Sequence, residues 1–149
     1  MRGFELKTLL WKDWKVRKSF VGIFPSNKLP KFICSGVTST FIFNIDPHYK
    51  PGSHWVALYI SPFGDAIYFD SFGLPPLIPS IKHFIERNSR TFRYNKFPLQ
   101  SLFSTTCGLY CVYFIRIMSK GGSLQDVLSN FDPQRQSFND RRIRVLVSD

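Results

Sequence analysis

The spacing of apolar residues changes along the chain, and each change marks a predicted element. Over residues 4–17, Leu6, Leu10 and Trp14 fall four apart while Lys7, Lys12, Lys15 and Arg17 lie largely on other faces, which predicts an amphipathic helix with a basic side. Gly22, Pro25, Asn27 and Pro30 then break the pattern, so residues 20–30 read as loop. Residues 32–34 and 40–45 are rich in β-branched and aromatic types and predict short strands, the second ending at Asp46-Pro47. Two strand-like runs, 54–60 and 66–70, flank Ser61-Pro62-Phe63-Gly64-Asp65, which is hairpin-loop chemistry. A helix follows over 78–88, with Ile81, Phe84 and Ile85 as its buried stripe and Lys82 and Glu86 as an exposed pair. Residues 91–99 predict another strand, stopped by Pro98. Short helices over 124–130 and 140–147 close the chain, with no internal repeat, linker or second domain.

The stretch 99–118, LQSLFSTTCGLYCVYFIRIM, carries the most chemistry. It predicts a buried helix from Cys107 to about Lys120, ended by Gly121-Gly122. Thr105 and Thr106 are candidate N-caps, which puts Cys107 in the first turn. Unpaired N–H groups and the helix dipole favour an anion there and lower a thiol pKa. The alternative is that Cys107 and Cys111 are two small hydrophobes on one helical face.

Composition narrows the class of molecule. At 149 residues the chain has room for one domain with a real core, and 44% hydrophobic and 17% aromatic residues exclude a disordered scaffold. Twenty Lys and Arg against ten Asp and Glu give +10, a charge that attracts polyanions, nucleic acid first and an anionic membrane surface second. The other reading is a solvated basic surface without a partner. Arg141, Arg142 and Arg144 in the last helix add to this charge and are the candidate DNA-binding residues. Three cysteines without CxxC or Cys/His spacing predict free thiols in a reducing compartment and no metal or organic cofactor. Charges every few residues near the N-terminus do not fit a signal peptide, and the apolar run 107–115 is too short to span a membrane.

In chain order, four residue types suit thiol acyl transfer. Cys107 would attack a carbonyl, His54 would take and return the proton, and Asp70 would orient the imidazole. The Gln100 amide and the Cys107 N–H would hold the oxyanion. Pairing Ile60 with Ala66 sets Val56 opposite Asp70, leaving His54 as its diagonal neighbour at roughly 7 Å between backbone positions. A one-residue slip would put the two on opposite faces. His48, in the loop 47–51, is the rival base but has no acid tied to it. Trp55 is expected to wall off His54, His83 to lie on the surface, Cys111 to be a buried spacer, and Asp46 and Asp65 to serve in turns.

The segments His54-Trp55, Asp70-Ser71-Phe72-Gly73 and Gln100-Ser101, followed by Cys107-Gly108-Leu109-Tyr110-Cys111, resemble the adenovirus maturation protease (adenain) family. That family includes homologues encoded by virus-like DNA transposons. Phe20-x-Gly22 and Leu29-Pro30 look like its N-terminal segment, and the resemblance covers residues 20–119. It implies an α+β, single-domain, circularly permuted papain-like fold over 1–149, with a mixed central sheet packed on helices and the nucleophile on the central helix. It further implies a viral cysteine endopeptidase with His54, Asp70, Gln100 and Cys107 in the roles above. Its substrates would be virion precursor proteins cut near Gly, its activity would be stimulated by DNA, and it would act as a monomer in the virion and the host nucleus or cytosol.

The chain also departs from the family. Asp70 stands where adenoviruses usually have Glu. The cysteine that attaches a peptide activator there falls near Ser89, and Cys34 is not at the matching place and reads as buried, which argues against a disulfide-linked peptide activator. The last thirty residues carry little resemblance. A SUMO- or ubiquitin-specific protease of the same clan shares the residue order, but its members usually have a longer catalytic domain. A non-catalytic basic module that binds DNA or capsid and keeps the protease fold is the reading from another class.

Overall fold

A computed structural model describes residues 1–148. Its centre is a mixed five-stranded sheet in the order β1 (Phe20–Pro25), β2 (Ser39–Asn44), β3 (Trp55–Ile60), β4 (Asp65–Phe69), β5 (Thr91–Tyr94). The two outer pairs, β1 with β2 and β4 with β5, are parallel, and the inner pairs are antiparallel. Side chains alternate between the faces, so β1 to β4 each feed two cores. One face, with Phe41, Phe43, Val56, Leu58, Ala66 and Tyr68, is covered by α3 (Pro79–Asn88). Ile81, Phe84 and Ile85 of α3 are fully buried as expected, and the Phe84 ring stands edge-on to Phe41 and Phe43 at 5.4 and 5.6 Å.

The opposite face, with Ile42, Ala57, Ile67 and Phe69, receives α4 (Cys107–Ser119). Phe69 and Phe114 stack at 4.9 Å across this layer. Around α4 lie α1 (Gly3–Trp11), α2 (Trp14–Ser19), α5 (Leu124–Leu128) and α6 (Gln136–Val147), which supply Leu6, Leu10, Val16, Val127, Ile143 and Val147 to the same core. Arg116 ties this layer together by donating to the carbonyls of Leu9 and Val147. The predicted α+β arrangement, a mixed sheet packed against helices with Cys107 on the central one, is what the chain adopts. Among the described residues, no helix is long and apolar enough to cross a membrane.

Four local expectations are corrected. The single helix over 4–17 is two helices, because Asp13 leaves the helical path and caps α2, accepting from the Lys15 N–H at 2.9 Å. Residues 20–25, read as loop, form β1; it is an edge strand, where Gly22 and Pro25 cost no central ladder bonds. Residues 32–34 form no strand despite their β-rich composition, since no ladder partner is available to them, and Phe32 and Cys34 are exposed. Cys34 is therefore not the buried residue expected. The strand over 91–99 stops at Tyr94, where the chain turns so that Asn95 reaches Asp70.

Candidate active site

The hairpin register decides whether His54 and Asp70 meet. Ile60 pairs with Ala66 and Ala57 with Phe69, the register read from the sequence. His54 immediately precedes β3 and Asp70 immediately follows β4, so both lie at the same end of the sheet. There the His54 Nε2 is 2.8 Å from the Asp70 Oδ1, and both side chains are buried. A carboxylate only accepts, so Nε2 carries the proton and Nδ1 is left to exchange one with a thiol.

Asp70 is itself held from several directions. Its Oδ1 also accepts from the Phe72 N–H at 2.8 Å. The Asn95 side chain brackets its backbone, accepting from the Asp70 N–H at 2.9 Å and donating to the Asp70 carbonyl at 2.6 Å. Phe72 stacks on the His54 ring with centroids 4.7 Å apart. The ring stacked on His54 is thus Phe72, while the Trp55 indole, expected to wall off His54, donates to the Met1 carbonyl at 3.0 Å and packs beside Gly108.

Cys107 is the first residue of α4 and is buried, with its thiol close enough to the His54 side chain for the two groups to shift each other's pKa. Burial opposes ionisation of both groups, and their mutual contact overcomes it. Burial lowers the His54 pKa, but the bonds to Asp70 and Cys107 and the charges on both lift it to about 9. Burial raises the Cys107 pKa, but His54 and the Trp55 and Gly108 backbone N–H groups bring it below the ordinary thiol value. The two shifts run in the direction of a thiolate beside an imidazolium. One helical turn on, Cys111 is fully buried and pushed well up by that burial, in keeping with a spacer.

Thr106 occupies the N-cap position, but its hydroxyl does not cap the helix. It donates to Asp140 at 3.0 Å instead. Gln100 sits on the segment that enters α4, buried and bonded to neither His54 nor Cys107. Its backbone N–H and that of Leu99 both donate to the Ser71 carbonyl. The Ser71 hydroxyl donates to its Oε1 at 2.5 Å, and its Nε2 donates to the Ser104 carbonyl at 2.8 Å. Because that carbonyl can only accept, the amide orientation is fixed, with one N–H left over.

Phe72, Asn95, Ser71 and Asp140 belong to this arrangement and were not found from the sequence. Ser71 and Phe72 follow Asp70 within a segment that carried the family resemblance but gave them no role; Asn95 and Asp140 are brought in by β5 and α6. The rival base His48 bonds Asn27 at 2.7 Å, and His83 is exposed on α3. Asp65 opens β4, where Thr91 and Arg90 lower its pKa. Arg141, Arg142 and Arg144 are exposed along α6.

A mixed sheet with a histidine and an acid at one end, over a helix that begins with a cysteine, defines the papain-like cysteine protease fold. No family model matches the chain. It is 33% identical to a putative thiol protease of Acanthamoeba polyphaga mimivirus over 99 residues, covering 60% of this chain and 32% of that protein. It is 28% identical to the protease of Ovine adenovirus D serotype 7 over 125 residues, 74% of this chain and 61% of that one. The ASFV protease crystal structure shares the fold with a TM-score of 0.51 and 24% identity, over 87% of this chain and 51% of its own. Both sequence relatives are viral proteases, and the solved structure shares the fold. The chain spans about a third and three-fifths of the lengths of those two viral relatives.

Proposed function

We propose that residues 1–149 are the protease domain of a viral cysteine endopeptidase that cleaves virion precursor proteins at Gly-containing sites. The observation that carries this reading is the buried line Asp70, His54, Cys107, in which the imidazole pKa is raised and the thiol pKa lowered. In the proposed reaction the Cys107 thiolate attacks the scissile carbonyl carbon. The Cys107 N–H and the free Gln100 N–H hold the oxyanion as it forms. His54 then gives its proton to the departing amine, leaving a thioester on Cys107. Water, deprotonated by His54, cleaves the thioester and frees the new carboxylate and the thiol. Asp70 keeps Nε2 protonated throughout. The chemistry calls on no metal or organic cofactor.

A groove of about 350 Å³ beside Trp55, bordered by Ile23, Phe24, Asn44, Asp46 and Lys50, offers room for an extended substrate segment. The relatives' viral origin supports work in the virion or the infected host cell. The +10 charge supports DNA as activator, with Arg141, Arg142 and Arg144 among its contacts, and the domain acts as a monomer. By the family resemblance the cysteine that attaches a disulfide-linked peptide falls near Ser89, and the exposed Cys34 lies elsewhere in sequence, so no such activator is part of the proposal.

The test is incubation with Gly-containing virion precursor peptides and, in parallel, with SUMO and ubiquitin precursors, each with and without DNA. Cleavage of the first set, lost in Cys107→Ala, is the expected result. Selective cleavage of the modifier precursors moves the assignment to the SUMO-protease side of the clan. Salt-dependent DNA binding without reaction toward a thiol-directed peptide electrophile leaves a non-catalytic module.

A further inference from the structure

The segment between Gln100 and Cys107 has no secondary structure of its own, and its tip is bare: Leu102 and Phe103 are 80% and 99% exposed. Such a stretch does not hold an oxyanion donor and a helix start in register by packing. A turn bond from the Ser104 N–H to the Ser101 carbonyl shapes it locally, and one carboxylate on α6 ties it to the rest of the fold. One oxygen of Asp140 accepts from the Ser101 N–H at 3.2 Å and the Ser101 hydroxyl at 2.6 Å. The other accepts from the Thr106 hydroxyl at 3.0 Å and the Tyr110 phenol at 2.9 Å. Next to it, the buried Asn139 donates to the Leu99 carbonyl at 3.1 Å. The segment is thus stapled at both ends to one point on the last helix.

The direction of these bonds matters as much as their number. Since a carboxylate only accepts, Thr106 must donate to it, and the Thr106 oxygen is then open to the Ser104 hydroxyl 2.7 Å away. The Ser104 carbonyl is in turn what the Gln100 Nε2 donates to. A continuous path therefore runs from Asp140 through Thr106 and Ser104 to the Gln100 amide.

We infer that Asp140 is a positioning residue for the oxyanion site, acting on the Gln100 amide through Ser101, Thr106 and Ser104. The inference rests on the protease reading above. Asp140→Asn keeps the shape but replaces one acceptor oxygen by a donor. If that donor faces Ser101, the backbone N–H there has nothing to bond; if it faces Thr106, the hydroxyl must reverse and release Ser104. Thr106→Val removes the Thr106 link alone and leaves the carboxylate with Ser101 and Tyr110.

Both full-length variants are assayed for peptide hydrolysis and for alkylation of Cys107 by iodoacetamide across pH. Alkylation reports the thiolate and its imidazolium without forming a tetrahedral oxyanion. The expected result is a roughly tenfold to hundredfold fall in kcat with KM within about twofold, as for small misplacements of reacting groups. Alkylation rates and their pH profile stay as in the wild type, and the loss does not deepen when either change is added to Gln100→Ala. If Asp140→Asn does not fold, Thr106→Val decides by the same readouts. Unchanged kcat overturns the inference, as does a parallel fall in alkylation, which marks general displacement of Cys107. Losses that multiply with that of Gln100→Ala also overturn it. A wild-type protein that neither hydrolyses peptides nor alkylates at neutral pH overturns the protease reading itself.

Discussion

The imidazole and thiol of His54 and Cys107 shift each other's proton affinity in opposite directions, and this sets a pH window. The ion pair forms as pH rises through the lowered Cys107 value and is lost as His54 deprotonates at about 9. Peptide hydrolysis, which needs both members of the pair, is accordingly expected to rise below the ordinary thiol range and fall near pH 9, while Cys107 alkylation, which needs the thiolate, shows the rise alone. Asp70→Asn takes away the bond and the charge that raise His54, so the alkaline limb should move to lower pH, with a smaller loss of rate than in Cys107→Ala or His54→Ala. A limb that stays put in Asp70→Asn would remove Asp70 from the proposal. Gln100→Ala is expected to cost about 2–4 kcal/mol of barrier, read from kcat/KM, with the thiol still alkylated normally.

Elements bring these side chains together, and close approaches between them leave little slack. Gly73 has φ +73, and a Cβ there would sit 2.5 Å from the Phe97 carbonyl carbon, so Gly73→Ala is both conformationally strained and sterically blocked. A loss of more than about 2 kcal/mol in denaturant unfolding is expected, together with reduced activity, because the same turn carries Asp70. Phe114 joins α4 to the sheet through Phe69, and Phe114→Ala should cost about 3–5 kcal/mol of stability. Each strand's alternation and each helix's stripe could be read locally, which is why β2 to β4, α3 and α4 were legible. Edge strand β1 and the break at Asp13 were not: β1 depends on its partner β2, and Asp13 is held by Lys120, just past the end of α4, at 2.8 Å.

For the whole molecule, charge is the property left to explain. With +10 over 149 residues, DNA affinity is expected to fall steeply with salt, each phosphate contact adding about 0.9 to the log–log slope. Replacing Arg141, Arg142 and Arg144 together by Ala should flatten that slope, measured by fluorescence anisotropy from low to physiological salt. An unchanged slope would place the contacts elsewhere, for which Lys7, Lys15 and Lys18, each over the ring of Trp11 or Trp14, are the next group to replace.

The sequence by itself determined the four candidate residues, the hairpin register that aligns two of them and the helix start that carries a third. The register and the helix start follow from short-range patterns, namely alternation, turn chemistry and the residue at a helix terminus; Gln100 follows from the donor an oxyanion needs and from the segments that resemble the adenain family. Tertiary structure decided what surrounds them. Phe72 lies over His54, Asn95 brackets Asp70, Ser71 fixes the Gln100 amide, and Asp140 gathers the segment between Gln100 and Cys107. Asn95, Ser71 and Asp140 make their contacts across 25, 29 and 34 positions of the chain. No local period encodes such separations; they exist only once the sheet and the helices around α4 have closed on one another.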